Sequence, residues 1–219
     1  QNIAYVMRDD SKIVENLIRL LQVYDILKDD NSFMETQALI ESYMPEEDTD
    51  LQIRYYLKLR SLESRFSRAE SESYLRKVLE LSSQSRKFDF PIKKELTIFY
   101  LDHFKIDSAL ATIEYLEKKY LKEKPLKHLH AKIHIEELYA RYYYILDDFG
   151  KAQEHYASAL AFCDEMDSPL LKRRLLLLAL EITKGLDDYQ MAFEALRSLK
   201  LLEDSTMKRT QMMEYQKLK

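Results

Sequence analysis

Glycine, proline, tryptophan and cysteine are scarce in this chain of 219 residues, which has two glycines, four prolines, one cysteine and no tryptophan. At average usage a chain of this length would hold about 15 glycines and about 11 prolines. Turns between strands consume glycine and asparagine at positive φ, so the shortage argues against a β-sheet protein. Cys163 is the single cysteine, so no internal disulfide can form. Cysteine usage therefore does not distinguish an oxidising from a reducing compartment.

Acidic and basic residues are interleaved and nearly balanced, with a net charge of -4. No basic stripe is long enough to displace the counterions of a nucleic acid, so nucleic acid is not expected as a partner of this segment. A membrane span needs about 18 apolar residues, and the longest apolar run is Leu175 to Leu180. Plentiful leucine and 33% charged residues favour amphipathic helices and an all-α fold.

A helical pattern repeats along the chain. Within residues 148–160, Ala152, Tyr156 and Ala159 place a small, an aromatic and a small side chain on one helix face. This stretch resembles the second-helix core of a tetratricopeptide repeat. Counting back to a repeat start at Ile133 finds the large, small and large residues expected on the first helix, which are Tyr139, Ala140 and Tyr143.

The same register recurs around Ala109 and Ala192, which lie 43 and 40 residues from Ala152. Small side chains at these positions would let paired helices approach closely, with Leu196 as the large packing residue of the last pair. Two further helical hairpins are expected in the N-terminal part from apolar residues at helical spacing.

The resemblance implies an all-α, right-handed superhelical solenoid that forms one domain over residues 1–219. The expected hairpins cover approximately residues 11–44, 50–84, 90–122, 128–164 and 168–202, and a closing helix follows over residues 204–218. Asp204 or Ser205 would cap that last helix. It is expected to cover the open end of the solenoid, or alternatively to pair with a second copy in a homodimer.

In tetratricopeptide stacks the first helices line a concave groove, so the resemblance implies that a protein or peptide binds there. The side chains expected to line this groove are Tyr56, Arg60, Lys94, Ile98, Leu101, His134, Glu137, Arg141, Tyr144, Arg174, Leu177 and Glu181. Their mixed aromatic, basic and acidic character suits a peptide or an amphipathic helix. Tyr142 and Tyr144 flank the core face of their helix and are expected to be exposed.

No catalytic motif is present, because neither glycine has a second one nearby for a phosphate loop and no metalloprotease motif occurs. Cys163 is expected to be a core thiol. His130, His134 and Glu137 share one helix face and could hold a divalent transition metal. Three ligands on one charged helix favour a groove position instead, so neither a catalytic residue nor a metal or other cofactor is expected.

The tail from Leu201 contains Asp204-Ser205 and then a charged amphipathic helix. It resembles the segment that closes the sensor region in a group of bacterial membrane-bound tetratricopeptide regulators. The resemblance implies the extracytoplasmic, periplasmic sensing region of a transcriptional regulator with a helix-turn-helix domain, or of a sensor histidine kinase. Membrane contact would come only through a transmembrane helix beyond Lys219. The alternative is a stand-alone cytoplasmic scaffold that binds a partner protein or a signalling peptide.

Overall fold

The computed structural model describes residues 10–62, 65–83, 87–122 and 129–217. Side chains are described up to residue 205, with the exception of residue 122. These residues are all-helical, and neighbouring helices pack in pairs, so the predicted all-α, repeat-like architecture is confirmed. The helices are α1 Asp10–Leu27, α2 Asp30–Tyr43, α3 Thr49–Arg60, α4 Arg68–Ser82, α5 Asp89–Asp102, α6 Ile106–Glu117, α7 Leu129–Ile145, α8 Phe149–Met166, α9 Pro169–Leu186 and α10 Tyr189–Lys217. A π-helical turn, Lys118–Lys122, extends α6.

Many of the helices that follow each other in sequence pack against each other. Four such pairs are α1 with α2, α3 with α4, α7 with α8, and α9 with α10. The fourth and fifth hairpins are joined by packing of α8 on α9 and of α7 on α9. The first helices of these two hairpins, α7 and α9, therefore lie next to each other.

One turn conformation recurs between consecutive helices. Four connections contain a non-glycine residue with φ between 53° and 57° just before the next N-cap, and these residues are Lys28, Phe104, Asp147 and Asp187. In three of the four the following aspartate accepts a hydrogen bond from a backbone N–H in the first turn of the second helix, as Asp29, Asp148 and Asp188 do. A repeated turn of this kind is independent structural support for a repeat.

The helices form two compact units that divide between Leu96 and Thr97. The first unit is built on apolar residues of α1 to α3, including Val14, Leu21, Phe33, Ile40 and Leu59. The core of the second unit comes from α7 to α10, including Ile133, Ala140, Ala152, Ala159 and Ala179. Ala109 and Ala152 are completely buried, as expected of small residues between close helices. The single domain over residues 1–219 stays a prediction.

The closing helix predicted over residues 204–218 is not a separate element. Helix α10 runs without a break from Tyr189 to Lys217, so the predicted caps at Asp204 and Ser205 are wrong. The Ser205 hydroxyl instead donates to the carbonyl oxygen of Leu202 at 2.8 Å, which satisfies it inside the helix. Within the described residues, no helix combines the length and the apolarity that crossing a bilayer requires.

The register predicted for the last hairpin also needs correction. Leu196, expected to pack, is 55% exposed, and Ala195 rather than Ala192 is the buried alanine. Helix α10 packs along α9, and the described residues leave the opposite side of α10, which carries Leu196, uncovered.

Candidate partner-binding site

Two rows of side chains lie side by side on α7 and α9. The α7 row follows the spacing i, i+4, i+7, i+11 and i+14, and consists of His130, His134, Glu137, Arg141 and Tyr144. The α9 row follows the spacing i, i+4, i+7 and i+11, and consists of Leu170, Arg174, Leu177 and Glu181. These spacings put each row on one face of its helix. The sequence predicted every member of the two rows as a groove residue except Leu170 and His130.

The two rows meet at the carboxylate of Glu137, which is buried. Arg174 donates from Nη2 to Oε2 of this carboxylate across the two helices. Arg141, one helical turn after Glu137, approaches the other oxygen, with Nη2 at 3.5 Å from Oε1. Two guanidinium groups therefore share one carboxylate.

His134 lies beside this ion pair and is also buried. The Nη2 atom of Arg174 is 2.6 Å from His134 Nδ1. The same Nδ1 atom lies 3.3 Å from Oε2 of Glu137, so His134 contacts both members of the ion pair. Its Nε2 atom lies 3.3 Å from Nε2 of His130.

The electrostatics of the cluster favour the ionised form of Glu137. Burial by itself raises the pKa of this carboxyl group, but the positive charge of Arg174, the hydrogen bond with His134 and the positive charge of Arg141 outweigh burial and lower its pKa well below 4.5. Glu137 is therefore a permanent anion at neutral pH. Its charge holds the two guanidinium groups in fixed positions.

The outer parts of the two rows are open to solvent. The side chains of Arg141 and Arg174 are 31% and 34% exposed, against 5% for Glu137. Leu170 and Leu177 on α9 are 49% and 42% exposed, and Glu181 is exposed as well. The surface thus combines fixed positive charge, apolar contact area and a negative charge at its far end.

The groove residues predicted in the earlier hairpins have other surroundings. Tyr56 is half-buried, stacks on Tyr74 at a centroid distance of 6.3 Å and carries Lys77 above its ring. Arg60 is buried and donates to the Ser71 hydroxyl at 2.8 Å, so it packs between α3 and α4.

The three predicted groove residues on α5 are also largely enclosed. Lys94, only 13% exposed, pairs with Glu95 at 2.7 Å. Ile98 is half-buried and Leu101 is buried. None of the five earlier residues therefore resembles the open rows on α7 and α9.

The sequence predicts that Tyr142 is exposed and that Cys163 is buried, and only the second of these predictions agrees with the structure. Tyr142 is buried, so its predicted exposure is wrong. Tyr144 is half-buried and packs on Phe149, with ring centroids 5.9 Å apart. Cys163 belongs to the apolar core, as predicted, and burial raises the pKa of its thiol.

The His130, His134 and Glu137 set is occupied by its own contacts with Arg174 and with each other. Over the described parts of the chain, no group of three or more histidine, cysteine, aspartate or glutamate side chains has an arrangement that could hold a metal ion.

Comparison of the chain with protein-family models, with curated proteins and with solved structures finds no match.

Proposed function

We propose that this chain is a non-catalytic helical-repeat domain that binds a protein or peptide along the α7 and α9 rows. The observation that carries the proposal is the meeting of Arg141 and Arg174 on one buried carboxylate, with both side chains about one-third exposed. Such arginines are held in place before a partner arrives, which reduces the entropy lost on binding.

The rest of the surface suits a macromolecular partner. Leu170 and Leu177 provide apolar area on either side of Arg174, and Glu181 adds an opposite charge one turn beyond Leu177. A row of this length spans about 16 Å, since a helix rises about 1.5 Å per residue. That reach fits an extended peptide or a helix better than a small metabolite.

The architecture behind this proposal is a right-handed tetratricopeptide-like solenoid. It is supported by the packing of consecutive helices in pairs, by the complete burial of Ala109 and Ala152, and by the recurring turn between consecutive helices. In such an array the first helices of successive hairpins form the binding face, and the contact between α7 and α9 is consistent with such an array.

The binding face can be tested with two exposed residues that carry little of the core. The variant Leu177→Ser with Glu181→Lys should lose partners that the wild-type chain captures, while its thermal unfolding stays nearly unchanged. The matched control is Glu154→Lys, which reverses an exposed glutamate on α8. Captured proteins are compared by quantitative mass spectrometry. Equal capture by the wild type and by the α9 variant would reject this face.

The finer proposal places the domain in the sensing region of a bacterial membrane-associated regulator. Besides the resemblance of the tail, its support is the length of α10, which has 29 residues against 18 in α9. The surplus corresponds to about 16 Å of helix, enough to project past the hairpin. Sequencing the gene beyond Lys219 tests it: about 20 apolar residues there support the sensor, and a stop codon favours the cytoplasmic scaffold.

A further inference from the structure

Helix α10 carries an exposed row of apolar side chains, the α10 row, which consists of Tyr189, Phe193 and Leu196. These residues follow the spacing i, i+4 and i+7, so they lie on one face of the helix. Their exposed fractions are 80%, 65% and 55%. The side of α10 that packs along α9 carries Ala195 and Leu199 instead, and both are buried. In the described part of the chain, the α10 row is therefore open to solvent.

The preceding hairpin shows how the same kind of row is covered. Helices α8 and α10 begin 40 residues apart and follow the same turn, so Tyr189 takes the place of Phe149. In the same way Leu196 takes the place of Tyr156. Phe149 lies against Gly185 of α9, and Tyr156 is buried in the core that α8 and α9 share. The α10 row is therefore the kind of face on which another helix packs.

The exposed area of the α10 row is close to what a protein interface requires. A large aromatic side chain has about 200 Å² of surface, so the three exposed fractions leave about 350 Å² of apolar surface open. An interface of standard size buries about 800 Å² per partner, of which about 450 Å² is apolar. The row supplies most of that apolar area, which corresponds to a weak and concentration-dependent complex.

The residues at the two ends of the α10 row carry opposite charges. Asp187, exposed just before α10 begins, precedes Phe193 by six residues, and the exposed Lys200 follows Phe193 by seven. At about 1.5 Å per residue, both charges lie about 10 Å from Phe193 along the helix. A face with an apolar centre, a negative end and a positive end is complementary to its own copy after a half-turn about the centre.

We propose that this chain forms a homodimer in which two α10 helices pack antiparallel around a two-fold axis near Phe193. Tyr189 of one copy then contacts Leu196 of the other, because these residues lie four positions before and three positions after Phe193. Asp187 of each copy comes close to Lys200 of the other. The interface is separate from the α7 and α9 rows, so it adds to the proposed function and does not depend on it.

Analytical ultracentrifugation of the chain between about 1 and about 500 µM tests the dimer, with an expected dissociation constant of about 1–100 µM. Phe193→Glu places two carboxylates at the two-fold axis and should weaken the dimer at least about 100-fold. The matched control is Met34→Glu, because Met34 is 69% exposed but lies on α2 in the other compact unit. This control should leave the dissociation constant unchanged.

Two charge-reversal variants test the antiparallel arrangement. Lys200→Asp gives the dimer two acidic pairs at the ends of the row, and Asp187→Lys gives it two basic pairs. Each variant alone should dimerise about tenfold more weakly than the wild type. In an equimolar mixture, both end pairs of the mixed dimer join opposite charges, so its affinity should return to that of the wild type. Lys28 occupies the turn position equivalent to Asp187, so a lysine is compatible with this backbone.

The inference is wrong if the wild type stays monomeric at the highest concentration, or if Phe193→Glu and Met34→Glu weaken association equally. Masses above that of a dimer would also overturn it, because they would show head-to-tail stacking, which does not close. Failure of the mixed charge variants to regain affinity would reject the antiparallel pairing. Circular dichroism establishes that each variant is folded.

Discussion

Gly185, near the end of α9, lies against the ring of Phe149 at the start of α8. A methyl group added at this glycine would stand only 2.2 Å from Cε1 of that ring, so the ring or the helix would have to shift. Gly150 is the natural control, since a methyl group there would meet Asp148 Oδ1 at 3.9 Å, an ordinary contact. Both glycines lie within helices, and neither has a positive φ.

The two substitutions should change stability in opposite directions. Alanine gains up to about 1 kcal/mol over glycine within a helix, and this gain should be smaller at the helix ends. Gly150→Ala should therefore stabilise the protein slightly. Gly185→Ala adds overpacking of about 1–3 kcal/mol, because Phe149 would give up its packing against Tyr144 to make room. We expect Gly185→Ala to be net destabilising by about 1 kcal/mol.

A double-mutant cycle with Phe149→Ala isolates the clash. Once the ring is removed, Gly185→Ala should become neutral or stabilising, which makes the coupling between the two positions about 1–3 kcal/mol. Urea unfolding followed by circular dichroism suits the measurement, because the chain has no tryptophan. The reasoning is refuted if Gly185→Ala stabilises the wild-type background as Gly150→Ala does, or if its penalty persists without Phe149.

Three further predictions concern buried groups. Glu137→Gln should lower the free energy of unfolding by about 3 kcal/mol at pH 7. Because the folded-state pKa of Glu137 lies below 4.5, this stability is present above pH 4.5 and lost below it. The free energy of unfolding of the variant, measured by urea titration, should therefore fall less steeply towards acid pH than that of the wild type. Burial raises the pKa of Tyr156 from 10.0 to about 12, so its contribution to stability is present below pH 10 and lost between pH 10 and 12. In Tyr156→Phe the Tm should therefore decrease less steeply between pH 10 and 12 than in the wild type. Ala152→Leu should destabilise by about 1–3 kcal/mol through overpacking, and calorimetry should show a smaller loss for Ala192→Leu, since Ala192 is only half-buried.

The helices could be predicted because the relevant signals are local. Scarce glycine and proline exclude frequent turns, and apolar residues at helical spacing mark the faces that pack, as with Ala152, Tyr156 and Ala159, which are all buried. The end of α10 could not be predicted in this way. Asp204 and Ser205 are typical capping residues, yet both lie inside a continuous helix. Capping propensity is a small term, and a serine can satisfy its hydroxyl within the helix, as Ser205 does.

The site was predictable as a pair of rows and unpredictable as a set of contacts. Helical spacing alone puts His134, Glu137 and Arg141 on one face of α7. The contact between Glu137 and Arg174 joins residues 37 positions apart, and no local pattern specifies it. For the same reason the sequence could not show that Arg60 is enclosed by a bond to Ser71, or that Lys94 pairs with Glu95.

The polar cluster on α7 and α9 is difficult to explain by stability alone. Burying the carboxylate of Glu137 has a desolvation cost that ion pairing only partly offsets, and apolar residues of similar size are often as stable or more so. The core beside it consists mainly of leucine, isoleucine and alanine, so an apolar residue would also suit this position. Glu137 is enclosed whereas the two arginines that it holds extend towards solvent. A buried carboxylate that pairs with partly exposed arginines fixes their guanidinium groups for an external ligand. This difference in exposure makes α7 and α9 the part of the molecule where binding should be sought first.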